Sequence, residues 1–243
     1  MVRLPARLTS KLAKARIAQL FSSAPPGPMV HCVDPADVLH PGSAAPVSRE
    51  KMQVLIENPC PVIWICGSEP LLHSGIGHFV RAIAQSGHYV FLETDGAFLR
   101  RRIHEFQPVR ELFLVVRLNS LEAPESALAI EGLGAARLSG FFTVIHSQVH
   151  DDSDLVKLTT FPSFIKTKDV DGWLITAASS EELVVRKALE ARALIHSNFW
   201  CQFSENIEEA LLSQVPAKGL HDEQAFDSAD VHTEAGEESV RIA

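Results

Sequence analysis

Five short apolar runs, each followed by a polar or small-residue segment, constrain what this chain can fold into more than any other feature. They are Pro61–Cys66 (PVIWIC), His88–Glu93 (HYVFLE), Glu111–Arg117 (ELFLVVR), Gly140–His146 (GFFTVIH) and Val170–Thr176 (VDGWLIT), and their starts lie 27, 23, 29 and 30 residues apart. A strand, a loop, a helix and a return take about 30 residues, so the spacing predicts repeated βα units. Strands joined in this way run parallel and are buried on both faces, which is why they read as continuous apolar runs. Amphipathic segments between them predict helices over Ser48–Glu57, Ser74–Gln85, Ala97–Glu105, Glu125–Arg137, Ser153–Leu158 and Ser180–His196. Ser48 and Ser180 stand where N-caps belong, and Gly87 and Gly140 where helix-ending glycines belong. The fold class is therefore α/β, while the Pro-rich stretch 21–31 hides any strand before the first run.

Charge divides the chain into three. Residues 1–33 carry Arg3, Arg7, Lys11, Lys14 and Arg16 and no acid, whereas 221–243 carry seven acids against Arg241 alone. From Leu8 to Leu20 the apolar positions follow a helical period with cations on the other face. Two readings stay open for this segment: a solvated basic helix packed on the domain, or an organelle-targeting presequence. The boundaries read as a basic helix over 1–24, a βα domain over 25–215 and an acidic, disordered tail over 216–243 that offers a surface to a protein partner. A net charge of −8 argues against nucleic acid, whose phosphates demand a Lys/Arg surplus, and leaves a small-molecule ligand as the expected partner. No apolar run reaches the roughly 20 residues of a membrane-spanning helix. Four scattered cysteines do not make a disulfide scaffold, which points to a reducing, cytoplasmic compartment.

In parallel α/β sheets the loops after the strand C-termini form the ligand site. Here those loops begin Gly67-Ser68-Glu69-Pro70, Thr94-Asp95-Gly96, Leu118-Asn119-Ser120, Ser147-Gln148-Val149-His150 and Ala177-Ala178-Ser179. A strand that stops at a Gly-small-acid-Pro turn offers carbonyls and a carboxylate to a ligand ammonium group. The same turn also serves as a plain strand-to-helix connection, with Pro70 starting the helix and Glu69 offsetting its dipole. Asn119 and Ser120 can meet a ligand's hydroxyls or form a simple turn. Arg117 can clamp a carboxylate or phosphate bidentately, or pair with a neighbouring helix acid, and the ion pair is the expected role. His146, His150, Asp151 and Asp152 cluster in sequence but read as a solvated loop, with Asp151 or Ser153 capping a helix.

These blocks resemble the radical S-adenosylmethionine (radical SAM) family. Ile65-Cys66-Gly67-Ser68-Glu69-Pro70-Leu71-Leu72 is similar to that family's GGEPLL motif, and Thr94-Asp95-Gly96 to its TNG. Val33-Asp34-Pro35-Ala36-Asp37-Val38-Leu39, the GSEPLLH of Gly67–His73 and Val170-Asp171-Gly172-Trp173 are similar to blocks of the branch that adenosylates a polycyclic hopene in hopanoid biosynthesis. The resemblance covers roughly residues 32–180. It implies a partial, open TIM-type (βα) barrel of about five to six parallel strands. It also implies S-adenosylmethionine held by Gly67, Ser68, Glu69, Pro70, Thr94, Asp95, Asn119 and Ser120, and a [4Fe-4S] cluster.

The chain departs from the family where the cluster belongs. Three closely spaced thiolates must wrap one cluster, and no CxxxCxxC is present. Cys32 alone falls in the corresponding region, and Cys60 and Cys66 stand at opposite ends of one strand. No metal ligands are therefore assigned beyond Cys32 and Cys66 as bare candidates, and no catalytic residue is named. Three readings result: a cluster-free, radical-SAM-like protein that binds a ligand or partner; an adenosylating enzyme with unusual cluster ligands acting on a polycyclic isoprenoid-type substrate; and an unrelated α/β enzyme using Glu69 with His73, or Asp95 with His146. No GxGxxG, GxxxxGK[ST] or GxSxG is present, which sets aside the commonest nucleotide and serine-hydrolase motifs.

Overall fold

A computed structural model describes residues 6–21, 27–39, 47–122, 124 and 126–213. In chain order the elements are α1 (Ala6–Leu20), β1 (Val30–Val33), α2 (Pro35–Val38), α3 (Arg49–Ile56), β2 (Val62–Ile65), α4 (Ile76–Gln85), β3 (Tyr89–Thr94), α5 (Leu99–Arg102), β4 (Leu112–Arg117), α6 (Ser126–Leu138), β5 (Phe142–Val149), α7 (Leu155–Leu158), α8 (Phe161–Lys168), β6 (Gly172–Ala177), α9 (Glu182–Arg192) and α10 (Asn198–Ser213). The six strands form one parallel sheet in sequential order, the curled half-barrel that repeated right-handed βα units produce.

Side-chain alternation splits the core into two layers. Ile63, Ile65, Val90, Leu92, Leu114, Val116, Ile145 and Ile175 face the helices on the convex side. Val62, Trp64, Phe91, Phe113, Val144 and Leu174 face the concave interior. There, Phe91 stacks on Phe113 at 4.5 Å between centroids, Phe113 on Phe142 at 5.2 Å, and Phe203 of α10 lies 5.0 Å from Phe91. The interior is thus closed by a helix. Leu8 of α1, wholly buried, adds to the same layer, and Lys11 donates to the Gly87 carbonyl and sits over the Tyr89 ring. Helix α1 thus packs on the half-barrel.

Helix α10 also protects the open edge of β6. The Ile175 N–H donates to Ser204 Oγ at 3.0 Å, the Ala177 N–H donates to Glu208 Oε2, and the Ile175 carbonyl accepts from Arg192 Nε at 2.9 Å. These are the groups a further strand would have paired, here met by helix side chains. Trp200 lies flat on Gly172, where an added Cβ would come within 2.4–2.6 Å of the indole ring. Gly172→Ala is therefore expected to shift α10 and cost about 1–3 kcal/mol by overpacking. Gly134→Ala in α6, with nothing within 4 Å of the new methyl, should gain about 0.5–1 kcal/mol. Urea denaturation of both variants checks the pair.

Several boundaries differ from the sequence reading. A first strand exists, Val30–Val33, overlapping the end of the Pro-rich stretch that hid it. β5 runs on to Val149, so Ser147, Gln148 and Val149 belong to the strand and His146 is buried within it, not on a solvated loop. The helix after it is capped by Asp154, whose side chain accepts from Val156 N, in place of Asp151 or Ser153. The predicted Ala97–Glu105 helix shortens to α5 and a 3-10 turn over Ile103–Glu105. Helix α9 begins after Glu181, without a side-chain cap from Ser180. Ser48 does cap α3 through Lys51 N, and Gly87 and Gly140 take φ of +94° and +84°. The predicted disordered tail lies outside the described residues.

Candidate functional site at the strand ends

The segments that end the strands are laced to one another by side chains. After β1, Asp34 caps α2 through Ala36 N and accepts from the Ser68 hydroxyl at 2.5 Å and from Ser68 N at 3.2 Å. Gly67, at φ +98°, passes so close that a Cβ there would lie 2.3 Å from Asp34 Oδ2. Glycine is required twice over, by the left-handed backbone and by the contact. Burial alone would raise the Asp34 carboxyl, but the Ser68 and Ala36 hydrogen bonds and nearby His73 hold it below its ordinary value.

Glu69 binds the second loop to the third. Its carboxylate accepts from Leu71 N at 3.0 Å, from the Thr94 hydroxyl at 2.7 Å and from Asp95 N at 2.8 Å, with Arg117 at 3.6 Å. Three hydrogen-bond donors and one ion pair occupy this carboxylate, and burial still pushes its pKa up. Its place here is structural: it fixes the Gly67–Pro70 turn against Thr94 and Asp95. Asp95 in turn accepts from Ala97 N at 2.8 Å, and Pro70 opens a short 3-10 turn that Glu69 caps. Further round, Asn119 Oδ1 accepts from Gln148 N at 2.8 Å, and Ser120 Oγ accepts from Glu122 N at 3.2 Å. The sequence candidates therefore share one edge of the sheet, Asp95 and Asn119 exposed and Ser68, Glu69 and Ser120 half-buried.

Beneath that edge lies a polar layer inside the half-barrel. Glu93, almost fully buried, accepts from Trp64 Nε1 at 2.8 Å, and its carboxylate lies 3.4 Å from His146 Nδ1 and 3.6 Å from Arg117 Nε. His146 Nε2 is 2.8 Å from Thr176 Oγ1. Burial raises the Glu93 carboxyl, but His146, Arg117 and Trp64 outweigh it and bring the pKa below the ordinary glutamate value. Arg117 does form an ion pair, but with Glu69 of the loop after β2 and Glu93 of β3 in place of the expected helix acid, and keeps 38% of its side chain exposed. The carboxylate partner of His146 is Glu93, not the predicted Asp95: Glu93 points inward from β3, which ends at Thr94, while Asp95 belongs to the loop beyond it. Glu93 and Thr176 went unselected in the sequence, although an acid that closes an otherwise apolar strand was the available signal.

Thiols test whether the cluster implied by the resemblance fits. Cys32 and Cys66 are in hydrogen-bonding contact, and that contact together with burial drives the Cys66 thiol strongly upward. Cys60 donates to the Pro28 carbonyl at 3.2 Å, at the far end of β2, and Cys201 on α10 donates to the Arg192 carbonyl at 3.4 Å. Two thiols, then, meet where three thiolates are required. Among the described residues no three His, Cys, Asp or Glu side chains are placed to hold a metal ion. The residues present do not fit a [4Fe-4S] cluster.

No family model matches the chain, and no curated protein is similar to it in sequence. Solved structures are similar in fold. Streptococcus suis SuiB bound to the precursor peptide SuiA superposes with a TM-score of 0.52 at 12% identity, over 72% of this chain and 43% of SuiB. SuiB bound to S-adenosylmethionine gives 0.48 at 12% identity over 73% and 44%, and archaeal TYW1 gives 0.42 at 16% over 79% and 63%. The first of these shows a shared fold. The chain spans less than half the length of SuiB.

Proposed function

We propose that this chain is a ligand-binding protein on a radical-SAM-like half-barrel that works without a cluster and takes S-adenosylmethionine, or a similar amino-acid nucleoside, at the strand-end rim. One observation carries the reading: the loops and Arg117 are braced into a single rim while only two thiols meet beside it. Arg117, anchored by Glu69 and Glu93 yet partly exposed, has guanidinium donors for a ligand carboxylate. The carbonyls of the Gly67-Ser68 turn accept from an ammonium group, a task that the occupied Glu69 carboxylate leaves to them. In this reading a ribose would be met by Asn119, whose amide oxygen is engaged with Gln148 while its NH2 group can still donate, and by Ser120. SuiB, similar in fold, has been solved bound to S-adenosylmethionine. A polycyclic isoprenoid substrate draws no support, since Phe91, Phe113, Phe142 and Phe203 fill the interior.

Calorimetric titration of the purified chain with S-adenosylmethionine should show saturable binding, weakened at least about tenfold in Arg117→Ala by loss of a charge-assisted contact. Cys60→Ala should bind as the parent does. Absence of binding, or an Arg117→Ala variant with unchanged affinity, contradicts the reading.

A further inference from the structure

Helix α1 presents two faces of opposite use. Leu8, Leu12 and Ala15 pack inward against the concave layer. The outward face carries Ile17, Leu20 and Phe21, three and four residues apart and thus side by side, with 53%, 77% and 87% of their surface exposed. Large apolar side chains scattered singly on a surface mean little, but three within one helical turn form a patch. Exposed Arg7, Lys14 and Arg16 flank it, and the helix holds no acid, although the chain as a whole carries −8.

We propose that this face docks on an anionic lipid surface, with Ile17, Leu20 and Phe21 entering the interface and Lys14, Arg16 and Arg7 meeting the headgroups. An apolar ridge bordered by cations is the pattern of helices that lie in the membrane plane without crossing it. No helix among the described residues is long and apolar enough to cross. Charge favours the surface: α1 carries Arg7, Lys11, Lys14 and Arg16 and no acid in a protein of net charge −8, so a negative bilayer attracts this face. Size argues against a protein occupant, because three side chains on a convex helix fall well short of the roughly 1,000 Å² that a stable protein interface needs.

The test is co-sedimentation of the full chain with vesicles of phosphatidylcholine, with and without phosphatidylglycerol. Binding is expected to the anionic vesicles, to fall with added salt, and to drop at least about tenfold in the triple variant I17S/L20S/F21S. K14E/R16E should weaken it as well. All five positions are exposed, so both variants should keep the parental circular dichroism. Equal sedimentation of parent and triple variant, or none on anionic vesicles, overturns the proposal. So does a parental oligomer that the triple variant dissociates while vesicle binding is unaffected, which would assign the patch to a second copy of the chain.

Discussion

Glu93→Ala should lower stability by about 3–5 kcal/mol, the cost of breaking a buried, hydrogen-bonded carboxylate pairing. The carboxylate is the shared partner of Trp64, His146 and Arg117, of which Arg117 also pairs with Glu69. Glu93→Gln should cost less, because an amide oxygen still accepts from Trp64 while the charge is lost. The pH dependence separates the two contributions. The folded-state pKa lies below the unfolded value, so the carboxylate's stabilisation is complete above the ordinary glutamate range and is lost as pH falls through the folded-state pKa. The stability advantage of the parent over Glu93→Gln should therefore be constant near neutrality and shrink in acid. Urea denaturation across pH measures it, and an advantage that does not change with pH would show that the charge contributes nothing.

Arg192→Ala comes next in expected effect, at about 3 kcal/mol. This arginine, 5% exposed, serves the edge of β6 twice, directly through the Ile175 carbonyl and indirectly by holding Glu208 at 2.5 Å, which accepts from Ala177 N. Its loss leaves one carbonyl without this donor and one acid without its cation. An uncovered strand edge pairs with other chains, so the variant should also aggregate faster on warming. Arg192→Lys should rescue only part of the stability, since one ammonium cannot match the forked guanidinium. Light scattering alongside denaturation checks both effects. Ser204→Ala, which removes a single neutral acceptor, should cost only about 1 kcal/mol.

The parallel strands were legible because burial on both faces leaves an uninterrupted apolar run, and their spacing revealed the intervening helices. β1 was hidden because it is four residues long and follows prolines. α10 went unrecognised, although it completes the core, because its apolar positions Trp200, Phe203 and Ile207 acquire meaning only against the concave rings they meet. At the rim, the loops were found by their position after strands, and the ion pair of Arg117 by its place at a strand end. What local sequence could not reveal was mutual occupation: Glu69 reads as a free carboxylate until Thr94 and Asp95, 25 and 26 residues away, are seen to use it. Cys32 and Cys66, the bare candidates of the sequence, are brought together by adjacent strands, a contact that local sequence does not show.

The absence of a third thiolate at that pair is what separates a cluster-free binding protein from a radical enzyme. Anaerobic incubation with iron and sulfide, followed by desalting and measurement of iron per chain and of visible absorbance, tests it most directly. Iron should stay well below one cluster per chain, with a spectrum indistinguishable from those of Cys32→Ala and Cys66→Ala treated in the same way. A stoichiometric cluster in the parent, lost on changing either cysteine, would contradict the account.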